Sequence, residues 1–126
     1  MTITRSVDQE KQLTVLTVDG EPSFDDFMTT LRSIYEKYPT KNLLWDFRNV
    51  TSSESLFTKD FEFFVDWTKE RAEVRRGGKT AWVFSQSVHY RMGRMTLEFS
   101  EIAQLPFEIK VFYSMEEATQ WLEKKY

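Results

Sequence analysis

Two short apolar runs in this chain are each followed by side chains that could bind or transform a ligand. The first run, residues 42–47 (NLLWDF), contains Asp46 and leads to Arg48. The second run, residues 79–84 (KTAWVF), leads to Ser85. A carboxylate, a guanidinium and a hydroxyl in one place could bind an anion or take part in proton transfer.

The only histidine of the chain, His89, is the one candidate for a general base near neutral pH. A general base needs a nucleophile or a polarised water beside it, and Ser85 and Ser87 are the hydroxyls nearest in sequence. The chain has no Gly-Xaa-Ser-Xaa-Gly elbow and no glycine-rich phosphate loop. A single histidine also excludes a His-Xaa-Xaa-Xaa-His metal pair. We therefore expect no enzymatic activity, no cofactor and no metal site.

Composition and charge exclude several classes of protein. The chain has 126 residues, no cysteine, a net charge of −3 and a pI near 5.3. These values argue against a disulfide scaffold, a thiolate zinc site and a general nucleic-acid binder. No apolar run approaches the roughly 20 residues that cross a bilayer, and the opening MTITRSVDQE lacks the apolar stretch of a signal peptide. We expect one cytoplasmic domain over residues 1–126, with no membrane span and no nucleic-acid partner.

Hydrophobic periodicity divides the chain into strands and helices. Strand patterns cover residues 2–7, 11–18, 42–47, 79–84 and 107–113. Helical patterns run from Ser23 to Pro39, over 57–72, from Ser87 to Pro106, and from Ser114 onward. Ser23 and Ser114, each with an acidic residue three positions later, are typical helix N-caps. The order β-β-α-β-α-β-α-β-α predicts an α/β domain with a mainly parallel five-stranded sheet and right-handed crossovers.

Three segments of the chain resemble the SpoIIAA-like superfamily, which contains the STAS domains and, more distantly, the lipid-carrying CRAL-TRIO domains. Residues 43–50 (LLWDFRNV) resemble the central strand, which ends in an aspartate before a polar loop. Residues 76–79 (RGGK) resemble the glycine-containing turn before the next strand, and residues 111–122 (VFYSMEEATQWL) resemble the closing strand and helix. The resemblance implies strands in sequence order and crossover helices largely on one face, as in small stand-alone bacterial domains of unassigned function.

The anti-sigma-factor antagonists of this superfamily carry an Asp-Ser-Ser-Gly motif at the start of the second helix, where one serine is phosphorylated. The matching positions here read Glu54-Ser55-Leu56-Phe57. Because leucine occupies the phosphoacceptor position and the glycine is missing, we do not expect the phosphoserine switch to operate in this chain.

The carboxyl ends of parallel strands are where ligands usually bind in open α/β sheets. Free backbone N–H groups at the start of the helix predicted after Ser87 would favour an anion there. The alternative is that the serines cap turns and the arginines are solvated. The candidate ligand site at this edge consists of Asp46, Arg48, Ser55, Ser85, His89, Tyr90, Arg91 and Arg94.

A small lipophilic ligand is a second hypothesis, because flexible thioethers and aromatic rings can border an adaptable apolar cavity. Packing of an ordinary core explains the same residues. They are Trp45, Phe47, Trp82, Phe84, Met92, Met95 and Phe99.

A basic cluster precedes the strand at 79–84, on the rim opposite the candidate ligand site. Its cations are interleaved with Glu70 and Glu73, which makes it a poor reader of a phosphate backbone. We expect it to close the second helix, where cations near the C-terminus are favourable. The cluster consists of Arg71, Arg75, Arg76 and Lys79.

The second predicted helix carries two aromatic residues outside its apolar stripe. The stripe consists of Phe57, Phe61, Phe64, Val65, Thr68 and Ala72. Phe63 and Trp67 are four residues apart, so they are neighbours on the helix surface, and they share a flank with Asp60 and Glu70. We predict that Phe63 and Trp67 anchor a homodimer or a protein partner, as this helix commonly does in STAS domains. The alternative is that they pack beneath a neighbouring helix or the C-terminal end of the chain.

The function that these patterns favour is a non-enzymatic binding or regulatory module that acts through protein interaction. The alternative is a binder of a small lipophilic or anionic ligand at the carboxyl edge of the sheet.

Overall fold

The computed structural model describes residues 2–21, 23–37, 39–50, 61–85, 98, 101 and 104–124. Its strands are β1 (Thr2–Asp8), β2 (Leu13–Gly20), β3 (Asn42–Val50), β4 (Lys79–Val83) and β5 (Glu108–Phe112). Its helices are α1 (Phe24–Glu36), α2 (Phe61–Arg71) and α3 (Met115–Glu123), with a 3₁₀ turn at Ala72–Arg75. None of the helices in these ranges is long and apolar enough to cross a membrane.

The five strands form one sheet in the order β1-β2-β3-β4-β5. The pairs from β2 to β5 are parallel, whereas β1 runs antiparallel to β2, so the sheet is mixed. The connection between β1 and β2 is a tight turn, in which the Lys11 N–H donates to Asp8 Oδ1 at 3.2 Å. A connection this short can form only a hairpin, because a parallel pairing needs a crossover of a dozen or more residues. The predicted α/β class with a five-stranded sheet is confirmed.

Local capping starts two of the helices where the sequence predicts. Ser23 Oγ accepts a hydrogen bond of 3.1 Å from the Asp26 N–H at the start of α1. Ser114 Oγ accepts one of 3.3 Å from the Glu117 N–H at the start of α3. Both helices carry acidic residues in the first turn, where the helix dipole favours negative charge.

The two faces of the sheet are covered by different helices. Helices α1 and α2 pack on one face, over a core in which Phe47 stacks on Trp82 at 5.2 Å and on Phe84 at 5.4 Å. Helix α3 packs on the other face, against Leu44 and Val83. Right-handed crossovers place the connecting helices on the same face when the strands follow each other in sequence order. Helix α3 comes after the last strand and connects to no further strand, so it can pack on the opposite face.

The third helix predicted from the sequence, over residues 87–105, lies mostly outside the described residues. Glu98 and Glu101 are described, and both are helical and exposed.

We expect Val83→Asp to abolish cooperative unfolding in urea. Val83 is fully buried between β3, β5 and α3, and an unpaired buried charge costs several kcal/mol, which is on the order of the total stability. Thr4→Asp, on the exposed edge strand β1, is the control and should change the midpoint little. A cooperative Val83→Asp variant with near-normal stability would contradict the placement of β4 in the centre of the sheet.

Candidate functional site

The carboxyl edge of the sheet holds an ion pair between two of the predicted site residues. Asp46 is 4% exposed, and its carboxylate accepts from Arg48 Nε and Nη2, each at 2.9 Å. The Arg48 backbone N–H adds a hydrogen bond of 3.1 Å to the same carboxylate. The hydrogen bond to Asp46 raises the pKa of the Arg48 guanidinium, although partial burial opposes this. Both carboxylate oxygens of Asp46 therefore accept hydrogen bonds from Arg48, so Asp46 is poorly placed to act as a general base.

Ser85 lies two residues after Val83, which is the β4 residue paired with Asp46. It is therefore on the same edge as the ion pair, and it is half-buried. The remaining members of the predicted ligand site lie outside the described residues: Ser55, His89, Tyr90, Arg91 and Arg94. Within the described ranges, no group of three or more His, Cys, Asp or Glu side chains could hold a metal ion.

The two predicted anchors on α2 have different environments. Phe63 is 49% exposed, and its ring meets Phe24 of α1 edge to face at 6.3 Å. Trp67 is only 7% exposed, with its ring edge on Tyr35 of α1 at 5.4 Å and the Arg71 guanidinium over it at 4.4 Å. The prediction that Trp67 lies on an exposed flank is therefore wrong, and the alternative of packing beneath a neighbouring helix is correct for it. Helix α2 contacts α1 as well as the sheet, which widens its buried arc beyond the apolar stripe.

Arg75 is the charged residue whose position the sequence analysis missed. The sequence pattern predicts that it helps to close α2 as a cation near the C-terminus, whereas the structure buries it, with 1% of its surface exposed. Burial lowers the pKa of its guanidinium, which the neighbouring Tyr35 hydroxyl partly offsets. The spacing of Thr68, Ala72 and Arg75 continues the buried stripe of α2, so helical periodicity was the signal that could have revealed it. Its guanidinium donates hydrogen bonds of 2.7 to 3.4 Å to Tyr35 Oη, Lys41 O, Lys79 O and Thr80 Oγ1.

Lys79 also points inward rather than into solvent. Its Nζ donates to the backbone oxygens of Trp121 at 2.8 Å and Lys124 at 2.6 Å, at the C-terminus of α3. Burial lowers the pKa of this ammonium. The predicted basic cluster is therefore divided, because Arg75 and Lys79 satisfy buried carbonyl groups whereas Arg71 and Arg76 are exposed.

A cavity of about 20 Å³ lies between the sheet and helices α1 and α2. Trp45 and Trp82, which the lipophilic hypothesis names, line it, but a drug-sized ligand needs roughly 300 Å³ or more. Met92, Met95 and Phe99 lie outside the described residues. Two larger surface clefts, of about 490 and 700 Å³, lie toward the amino-terminal ends of β2 to β4 rather than at the predicted edge.

Comparisons with known proteins identify the fold. No protein-family model matches the sequence. No curated protein matches it either. The chain is similar to the crystal structure of an uncharacterized protein of the DUF3478 family, with a SpoIIAA-like fold, from Shewanella loihica PV-4. The identity is 16%, the TM-score is 0.52, and the match covers 96% of this chain and 92% of that one. The chain thus has a SpoIIAA-like fold, as the resemblance of its motifs implies.

We expect Arg48→Ala to lower the free energy of unfolding by about 1–3 kcal/mol, because it leaves the buried Asp46 carboxylate without its side-chain donors. Arg48→Lys should restore only part of this stability, since an ammonium cannot reproduce the two-pronged contact. Urea denaturation of each variant measures the effect.

Arg76→Ala is the matched control for this pair. Arg76 makes the same kind of two-pronged contact with Glu73, but both side chains are exposed, so the change should lower the free energy of unfolding far less than Arg48→Ala does. Equal losses in the two variants would show that burial of Asp46 does not strengthen the contact.

Proposed function

We propose that this chain is a SpoIIAA-like interaction module that binds a protein partner through an aromatic surface and carries out no chemistry of its own. The observation that carries the proposal is the half-exposed ring of Phe63 at the start of α2. We call Phe63 together with Phe24 the aromatic surface.

The aromatic surface has the properties of a binding hot spot. Large aromatic side chains contribute strongly to interfaces when a partner removes them from water. The edge-to-face contact with Phe24 restrains the Phe63 ring, so little side-chain freedom would be lost on binding. Helices α1 and α2 both begin near this surface, and their shared core supports it from below.

Charge around the aromatic surface indicates what kind of partner it fits. Asp66 follows Phe63 by three residues on the same side of α2, and it is exposed. Glu70, seven residues after Phe63, is exposed too, but its carboxylate is paired with Arg71 at 3.3 Å. Asp25 follows Phe24 on α1 and is exposed as well. A partner that offers an apolar socket rimmed by lysine or arginine complements this surface. A two-fold homodimer would bring the acidic rims together, which disfavours a second copy of this chain.

Binding accords better than catalysis with the carboxyl edge of the sheet. The Asp46 carboxylate is bonded to Arg48, which leaves it unsuited to proton transfer. The second candidate function, a small anionic or lipophilic ligand at this edge, depends on Arg48 and Ser85 among the described residues. Native mass spectrometry of freshly purified protein would reveal such a ligand as added mass.

We expect Phe63→Ser to reduce capture of a protein partner at least about tenfold while the protein stays folded. The measurement uses immobilised protein, a partner identified by mass spectrometry, and titration of that purified partner at two salt concentrations. Affinity should fall as salt rises, because the acidic rim contributes to binding.

Val74→Ser is the matched control, since Val74 is also a large exposed apolar residue, at 52%, but lies in the 3₁₀ turn after α2. It should leave partner affinity unchanged. Trp67→Ser should instead destabilise the fold by about 3–5 kcal/mol, because Trp67 is buried against α1. Unchanged affinity in Phe63→Ser, or equal losses in Phe63→Ser and Val74→Ser, would overturn the proposal.

A further inference from the structure

Arg75 places a positive charge inside the protein, and no carboxylate of the described residues is paired with it. An arginine side chain stays protonated in proteins even when burial lowers its pKa. All four acceptors of its hydrogen bonds are neutral oxygen atoms. No ion pair to Arg75 occurs among the described residues, and a buried charge without a counter-charge is costly.

Three hydrogen-bond donors meet at the cavity beside this charge. Arg75, Thr68 and Tyr35 all line it. Arg75 Nε and Thr68 Oγ1 are buried and have no hydrogen-bond partner in the described part of the chain. Tyr35 Oη accepts from Arg75 Nη1 at 3.4 Å, so its own proton remains to be donated. Donors gathered beside a cation form an environment for an anion.

The geometry limits how a ligand reaches the guanidinium. The ring of Phe107 lies 4.3 Å from the Arg75 Cζ and covers one face of the group. A ligand cannot approach from that face, and a ligand that accepts from Nε–H must lie in the guanidinium plane, along that bond. The cavity of about 20 Å³ has room for a single small ion and excludes phosphate, sulfate and longer carboxylates.

We propose that the cavity between the sheet, α1 and α2 binds a small monovalent anion the size of chloride, held by Arg75 Nε, Thr68 Oγ1 and Tyr35 Oη. The anion neutralises the buried guanidinium and supplies the acceptor that Nε and the threonine hydroxyl lack. This site is independent of the aromatic surface, so failure of one proposal leaves the other intact.

The test is the thermal stability of the full chain in sodium chloride and in sodium bromide, against sodium gluconate at equal ionic strength. A ligand that binds only the folded state raises its melting temperature in proportion to occupancy. We expect Tm to rise saturably, by about 5 °C at about 200 mM halide, and to stay unchanged in gluconate, whose anion is too large to enter. Identical curves in the three salts would overturn the proposal and show that the cavity holds water only.

Thr68→Val locates the effect, because valine keeps the shape of threonine and removes one donor. We expect at least a tenfold weaker apparent affinity for chloride, since a hydrogen bond to a charged group is lost. Thr119→Val is the control: Thr119 lies in α3 on the opposite face of the sheet, and its hydroxyl donates to Met115 O at 2.8 Å. An unchanged halide response in Thr68→Val would place the binding elsewhere and overturn the assignment.

A crystal grown in bromide gives a second, direct measurement that does not depend on the variant folding. The anomalous signal of bromide should give a peak within hydrogen-bonding distance of Arg75 Nε. Bromide peaks confined to the protein surface would contradict the proposal.

Discussion

The guanidinium of Arg75 joins segments that are far apart in sequence, and the amino-terminal rim of the sheet depends on it. Its hydrogen bonds reach the last turns of α1 through Tyr35, the residue before β3 through Lys41, and the start of β4 through Lys79 and Thr80. These bonds give the Lys41 carbonyl, the Lys79 carbonyl and the Thr80 hydroxyl a charged donor at 2.7 to 3.1 Å. The cation thus stabilises the fold by linking α1, the residue before β3 and the start of β4.

The close approach of the chain at this rim explains the two glycines that follow Arg75 and Arg76. A Cβ atom on Gly78 would lie 1.9 Å from the Lys41 carbonyl oxygen, the same oxygen that accepts from Arg75. Gly77 has φ of +81°, a conformation that residues with side chains rarely adopt, and its N–H donates to Pro106 O at 2.9 Å. The glycine pair therefore lets β4 enter beside β3 while Arg75 stays beneath, so the glycine-containing turn before β4 has a steric cause.

The charged side chains at the two rims of the sheet have different environments. At the amino-terminal rim, Arg75 and Lys79 are buried and bonded to carbonyl groups, so these cations are not available to a partner at the surface. At the carboxyl rim, Arg48 neutralises Asp46. The proposed binding of a basic partner depends on a different feature, the half-exposed ring of Phe63 on α2.

Local chemistry determined what could be predicted from the sequence alone. The caps at Ser23 and Ser114 and the buried runs around Trp45 and Trp82 depend on neighbours within a few residues, so composition and periodicity sufficed. The Asp46–Arg48 pair was within reach too, because residues two apart on a strand share a face.

Tertiary packing decided the rest. Whether Trp67 is covered depends on where α1 lies. Whether Arg75 points inward depends on the carbonyl groups of Lys41, just before β3, and of Lys79 in β4. The placement of α3 on the second face likewise follows from which face the crossover helices leave open. Which side chains are buried depends on how the helices and the sheet pack together. The apolar stripe of one helix predicts only one buried face, and it does not show which other residues a neighbouring helix covers.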